Sequence, residues 1–191
     1  MSDTPNPYVL PADLPVPVDD GAADHLEGMP LPALALPSTT GRDIDLSLAA
    51  DGTLVLYLYP RTGRPGEPLP DDWDDIPGAR GCTPQSCAFR DHFSQLRSLG
   101  ADVLGLSAQP LPDQVEFAER VGLPYPILSD PQLQLGNPLR LPTFEVAGMR
   151  LYKRLTLIAR RRTIVKTFYP VFPPDRNAAE VAAWLEGEPA K

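Results

Sequence analysis

The chain has 191 residues, 42% of them hydrophobic, and a formal net charge of −8 from 25 acidic and 17 basic side chains. One globular domain of ordinary size is expected, and the acidic balance argues against a nucleic-acid or anionic-membrane surface as partner. No stretch approaches the ~20 apolar residues of a membrane span. The N-terminus, Met1-Ser2-Asp3-Thr4-Pro5, lacks the basic-then-apolar pattern of a secretory signal, so a cytoplasmic location is expected.

Prolines, 25 in all, cluster in 5–37, 60–84 and 170–174 and mark tails and loops. Residues 1–28 read as an extended, poorly ordered or surface-draped arm, and residues 29–189 as the folded domain. Segments 33–36 and 44–46 flank the turn-rich Ser38-Thr39-Thr40-Gly41, a hairpin pattern. Segment 53–59 is apolar at nearly every position and ends at Pro60, as a strand buried on both faces does. Residues 61–81 hold Gly63, Pro65, Gly66, Pro68, Pro70, Pro77, Gly78 and Gly81, which predicts a long loop. A single helix is predicted over 83–99, with Thr83 as its cap, Pro84 at its first position and Gly100 after its end. Then come a strand at 103–107, a helix at 114–121, a strand at 125–128 and a short helix within 131–139. A hairpin of 151–159 with 163–169 around Arg160-Arg161-Arg162 and a helix over 176–186 close the chain. This β-α-β half followed by a β-β-α half gives an α/β class, a central mixed sheet flanked by helices in the thioredoxin-like order.

Cys82 and Cys87 are the only cysteines. Structural disulfides are rare in the cytoplasm, so a close pair there points to redox chemistry. Cys82 lies where a loop enters a helix, and unpaired N–H groups at such an end stabilise a thiolate. In a regular helix the two Cα atoms stand ~8–9 Å apart, whereas a disulfide wants less than about 7 Å. A bond between them therefore requires the first turn to unwind, and would be strained and easily reduced. An inert buried role remains open for either cysteine, more so for Cys87, beside the core-like Ala88 and Phe89. Zinc is disfavoured for want of a second pair. Neither His25, in the arm, nor His92, expected to face solvent, is a convincing base or ligand, and no cofactor or metal is expected.

The stretch Gly81-Cys82-Thr83, Cys87 and Phe89-Arg90-Asp91, with Tyr59-Pro60 ending a buried strand, resembles the peroxiredoxin family, specifically its Q-type (bacterioferritin-comigratory) branch. Leu128-Ser129-Asp130, and Arg154 opening the next strand, add to the likeness, which covers about residues 31 to 185. The resemblance implies a thiol peroxidase acting on hydrogen peroxide or alkyl hydroperoxides. Cys82 would become a sulfenic acid, Arg154 would stabilise the sulfur and polarise the peroxide, and Pro60 would shield the site. Cys87 would close an intramolecular disulfide, which a thioredoxin-like or other thiol reductant would reopen. A monomer or homodimer is implied. The alternatives are a thiol–disulfide exchange protein of the same fold that handles peroxide poorly, and a non-catalytic binding module with the insertion as its interaction surface.

Two departures bear on this. The family motif is Pro-x-x-x-Thr-x-x-Cys, but here residues 61–81 intervene and Ala79 stands three before Cys82. Thr62 folding back, or Thr83, is the candidate for the missing hydroxyl. The insertion carries Asp71, Asp72, Trp73, Asp74 and Asp75 and reads either as a lid or docking surface or as a solvated loop. Its acids should point away from a fast thiolate.

Overall fold

A computed structural model of the protein describes residues 8–187. The N-terminal hairpin pairs β1 (Ala35–Pro37) with β2 (Asp43–Asp45) and leads into the short α1 (Leu46–Ala49), whose first turn is capped by the Asp45 carboxylate. Next comes β3 (Thr53–Leu58), the middle strand of a five-stranded sheet. It is followed by α2 (Cys82–Asp91), α3 (Phe93–Ser98), β4 (Ala101–Ser107), α4 (Leu111–Val121), β5 (Ile127–Ser129) and α5 (Gly136–Leu139). The chain closes with β6 (Thr143–Val146), β7 (Met149–Tyr152), β8 (Leu155–Arg160), β9 (Thr163–Phe168) and α6 (Asn177–Gly187). The sheet order is β5-β4-β3-β8-β9, with β3, β4 and β5 parallel and β8 and β9 antiparallel to their neighbours.

The alternation of a strand explains why β3 is apolar throughout. Leu54, Leu56 and Leu58 face one core with Leu36, Leu46, Leu135 and Leu157. Val55, Tyr57 and the following Tyr59 face a second core with Phe89 and Leu96, from α2 and α3, and Val181 and Leu185, from α6. The expected arm is only partly an arm: Ala23 and Leu26 are buried in the first core, and Asp20 pairs with Lys153 at 2.7 Å. Its first seven residues, and the last four of the chain, lie outside the described residues.

Three elements differ from expectation. The helix over 83–99 is two helices, because the His92 backbone leaves helical geometry at φ −93°, ψ 0°, while its ring Nδ1 lies 2.9 Å from the Ala88 carbonyl. His92 is thus half-buried and bonded rather than solvent-facing. The helix starts one residue before Thr83, with Gly81 as cap at φ +104°. The strand over 151–159 is broken at Lys153 and Arg154: β7 belongs to a separate hairpin with β6, and Arg154 lies one residue ahead of β8. That β6–β7 hairpin has no counterpart in the sequence expectations.

Tyr57 ties the sheet to α2. Its ring stacks on Phe89 with centroids 4.4 Å apart, and its hydroxyl donates to Ser86 Oγ at 3.0 Å. Gly105 of β4 makes room for that ring: a Cβ there would lie 2.5 Å from Ile127 Cδ1 and 2.8 Å from the Tyr57 ring. Gly105→Ala should therefore lower stability by about 1–3 kcal/mol, the usual cost of overpacking a core. A urea midpoint equal to that of the parent would contradict this packing.

Candidate active site

The site forms where the loop after β3 meets α2 and the start of β8. Gly81 is required at the junction, since its φ is +104° and a Cβ would collide with the Pro174 ring and lie 2.8 Å from Leu10 Cδ2. Cys82 follows as the first residue of α2 and is 3% exposed. Arg154, also 3% exposed, immediately precedes β8, and its Nη2 lies 3.2 Å from Cys82 Sγ.

A buried guanidinium must have its donors satisfied. Arg154 Nη2 also donates to the Ala79 and Arg80 carbonyls at 3.0 and 3.1 Å, Nε to the Gly78 carbonyl at 3.3 Å, and Nη1 to Gln85 Oε1 at 2.5 Å. Gln85 in turn donates to Asn177 Oδ1 at 3.0 Å, which also accepts from Thr156 Oγ1 at 2.6 Å. One arginine thereby joins the end of the 61–81 loop, the start of α2 and, through Gln85, the start of α6. Neither Gln85 nor Asn177 was anticipated. Gln85 was open to reading, since it lies three residues after Cys82 on nearly the same helix face, whereas nothing local marks Asn177.

Thr62 and Cys82 line one cavity of about 490 Å³, together with Thr83 and most of the 61–75 segment. Thr62 is buried, and its hydroxyl donates to Gln109 Oε1 at 3.1 Å, while its backbone N–H donates to the same oxygen at 2.8 Å. Gln109 Nε2 returns a bond to the Thr62 carbonyl at 3.1 Å. This second unanticipated glutamine pins the loop to the end of β4. Pro60 is buried at the end of β3, and the cavity wall beside it is made by Arg61 and Thr62.

The insertion is a folded loop with a short 3₁₀ turn at Trp73–Asp75. Trp73 is 3% exposed and packs with Ala79 and Leu151, against Phe144 and Met149 of the β6–β7 hairpin. Asp74 pairs with Arg80 at 2.9 Å, and Asp71, Asp72 and Asp75 are exposed. Leu128-Ser129-Asp130 serves the scaffold: buried Asp130 accepts from the Gln134 and Leu135 N–H groups and from the Tyr152 hydroxyl. His25 Nε2 bonds the Leu139 carbonyl at 2.8 Å. Among the described residues no cluster of three or more His, Cys, Asp or Glu could hold a metal, and no helix is long and apolar enough to cross a membrane.

Both cysteines are free and share α2. Five residues of helix rotate Cys87 about 140° from Cys82 around the axis, so the thiols face different ways. Cys87 is half-buried, and burial is the main cause that pushes its thiol above the ordinary 9.0.

Residues 26–184 match the family described as Redoxin. The chain belongs to the redoxin family. It is 29% identical to the chloroplastic peroxiredoxin Q of Suaeda salsa over 84% of this chain and 67% of that protein. It is 27% identical to a Coxiella burnetii protein named as a peroxiredoxin of the bcp type, over 83% of this chain and 97% of that one. The crystal structure of the peroxidoxin BcpB from Mycobacterium tuberculosis superposes with a TM-score of 0.70 at 27% identity, covering 86% of this chain and 98% of that one. The expected Q-type kinship and thioredoxin-like fold are thus both met.

The raised Cys87 thiol sets a sign for pH. A thiol favoured in its protonated form by the fold adds stability below its unfolded value, and that stability is lost as pH rises through its folded value. In a Cys82→Ser variant, alkylation of Cys87 by iodoacetamide should titrate with a midpoint above 9.0 and return to the ordinary range in denaturant. A folded midpoint at or below the denatured one would contradict the burial argument.

Proposed function

We propose that the chain reduces hydroperoxides through the sulfur of Cys82. The observation that carries this is the 3.2 Å approach of Arg154 Nη2 to that sulfur, at a helix start on the wall of a cavity. The Cys82 thiolate attacks the terminal oxygen of the hydroperoxide. A sulfur–oxygen bond forms as the O–O bond breaks, and the electron pair leaves on the other oxygen, which takes a proton and departs as an alcohol, or as water from hydrogen peroxide. The guanidinium steadies the sulfur anion and then the charge that grows on the departing oxygen, which counts for most where water is excluded. Thr62 supplies the hydroxyl that Ala79 lacks, and Pro60 backs the loop that keeps water out.

The sulfenic acid is then resolved by Cys87. Its sulfur attacks the Cys82 sulfur, hydroxide leaves and is protonated to water, and the disulfide forms. Because the two thiols face apart along one helix, the first turn of α2 has to open. Two electrons from an external dithiol, of thioredoxin-like type, restore both thiols. A reducing compartment such as the cytoplasm suits a chain whose two cysteines are both free. A monomer or homodimer is sufficient, since every residue named comes from one chain.

Stopped-flow mixing of the reduced protein with hydrogen peroxide should give a Cys82–Cys87 bond detectable by mass spectrometry. Cys82→Ser should abolish peroxide consumption. Cys87→Ser should still complete one turnover and stop at a sulfenic acid that dimedone traps. Brisk exchange with glutathione disulfide, with no reaction toward peroxide, would count against the peroxidase reading.

A further inference from the structure

The cavity beside Cys82 is far larger than hydrogen peroxide requires. Its volume is about 490 Å³, whereas a water molecule occupies about 30 Å³ in the liquid. Pro65, Pro68, Leu69, Pro70 and Trp73 give it an apolar wall, which is the usual lining of a site for an organic ligand.

The charges on that wall are not all neutralised. Arg64 pairs with Asp113 at 2.6 Å and Arg80 with Asp74 at 2.9 Å. Arg61 pairs with no carboxylate among the described residues. Its Nη1 donates to the Met149 sulfur at 3.0 Å, a weak acceptor, and its Nε is buried without any partner. The other acids on the wall, Glu67, Asp72 and Asp75, are exposed and free to be hydrated. A guanidinium on the wall of an apolar space, with no carboxylate beside it among the described residues, is suited to a charge-assisted bond with a ligand's carboxylate.

We propose that this cavity selects organic hydroperoxides carrying an anionic group on an apolar body, and that Arg61 holds that group. The inference rests on Cys82 being the peroxide-reacting sulfur. The apolar body lies against the insertion, the anion is bound at Arg61, and the terminal peroxide oxygen passes to Cys82, releasing an anionic alcohol after the other oxygen is protonated. The selecting residue lies at the start of the 61–81 insertion, so the insertion defines the substrate class as well as covering the sulfur.

The test compares cumene hydroperoxide with its para-carboxylated analogue in stopped-flow single turnovers, with hydrogen peroxide as reference. The readout is the ratio of the carboxylated to the neutral second-order rate constant. A charge-assisted bond at this site should give a ratio of about 10 or more in the parent protein. Arg61→Gln should bring the ratio near unity, and Arg61→Lys should restore part of it. A variant that merely disturbs the fold lowers both rates and leaves their ratio unchanged. A parent ratio near unity, or one that Arg61→Gln leaves in place, overturns the proposal while hydrogen peroxide still oxidises Cys82. Failure of hydrogen peroxide to oxidise Cys82 would instead overturn the peroxidase reading beneath it.

Discussion

The site depends on one buried cation. Arg154 is almost wholly removed from water, and its donors are taken up by three consecutive backbone carbonyls, one glutamine oxygen and the Cys82 sulfur. A charge in that position is tolerable only because it is so fully bonded, and removing one side of such a network typically costs 3–5 kcal/mol. The same bonds that satisfy the arginine fix the end of the insertion and the first turn of α2. The contacts that satisfy the guanidinium are thus also contacts of the segment that carries the Cys82 sulfur.

That arrangement divides α2 into two parts. Beyond its first turn the helix is held by the sheet, through Phe89 stacked on Tyr57 and through Ser86, bonded by Tyr57 and, at its carbonyl, by Tyr125 at 2.8 Å. Burial keeps both phenols protonated far above their ordinary range. The first turn is held by Arg154, which bonds Cys82 and Gln85, and by packing of the Gly81 junction against Pro174 and Leu10. In the proposed mechanism an oxidised Cys82 reaches Cys87 by opening the first turn while the rest of the helix stays anchored. Ala79 packs with Trp73, so the insertion is adjacent to that turn.

Much of the fold was legible in the sequence, and the reasons are physical. The central strand declared itself because burial on both faces removes polar residues, whereas the start of α2 was read one residue late, because Thr83 has a capping hydroxyl and the cap is Gly81 in a left-handed backbone. The place of Cys82 at a helix start was legible through residue chemistry, and its nearness to Arg154 through the family resemblance. The break at His92 was not, because neither proline nor glycine marks the residue whose backbone leaves helical geometry. The β6–β7 hairpin escaped because its strands have four residues each and its apolar side packs on the insertion. Gln85, Gln109 and Asn177 escaped because a polar residue is marked as buried only by partners distant in the chain. The insertion's order was concealed by its prolines and acids, which surround a single buried tryptophan.

The most direct test replaces Arg154 by lysine, which keeps the charge and discards the planar fork. The rate constant for oxidation of Cys82 by hydrogen peroxide, measured in a single turnover, should fall by a factor on the order of 10² to 10³, as for loss of one aligned transition-state donor. A lysine variant that folds and is oxidised at the parent rate would show that the guanidinium geometry beside the sulfur is not what makes this site reactive.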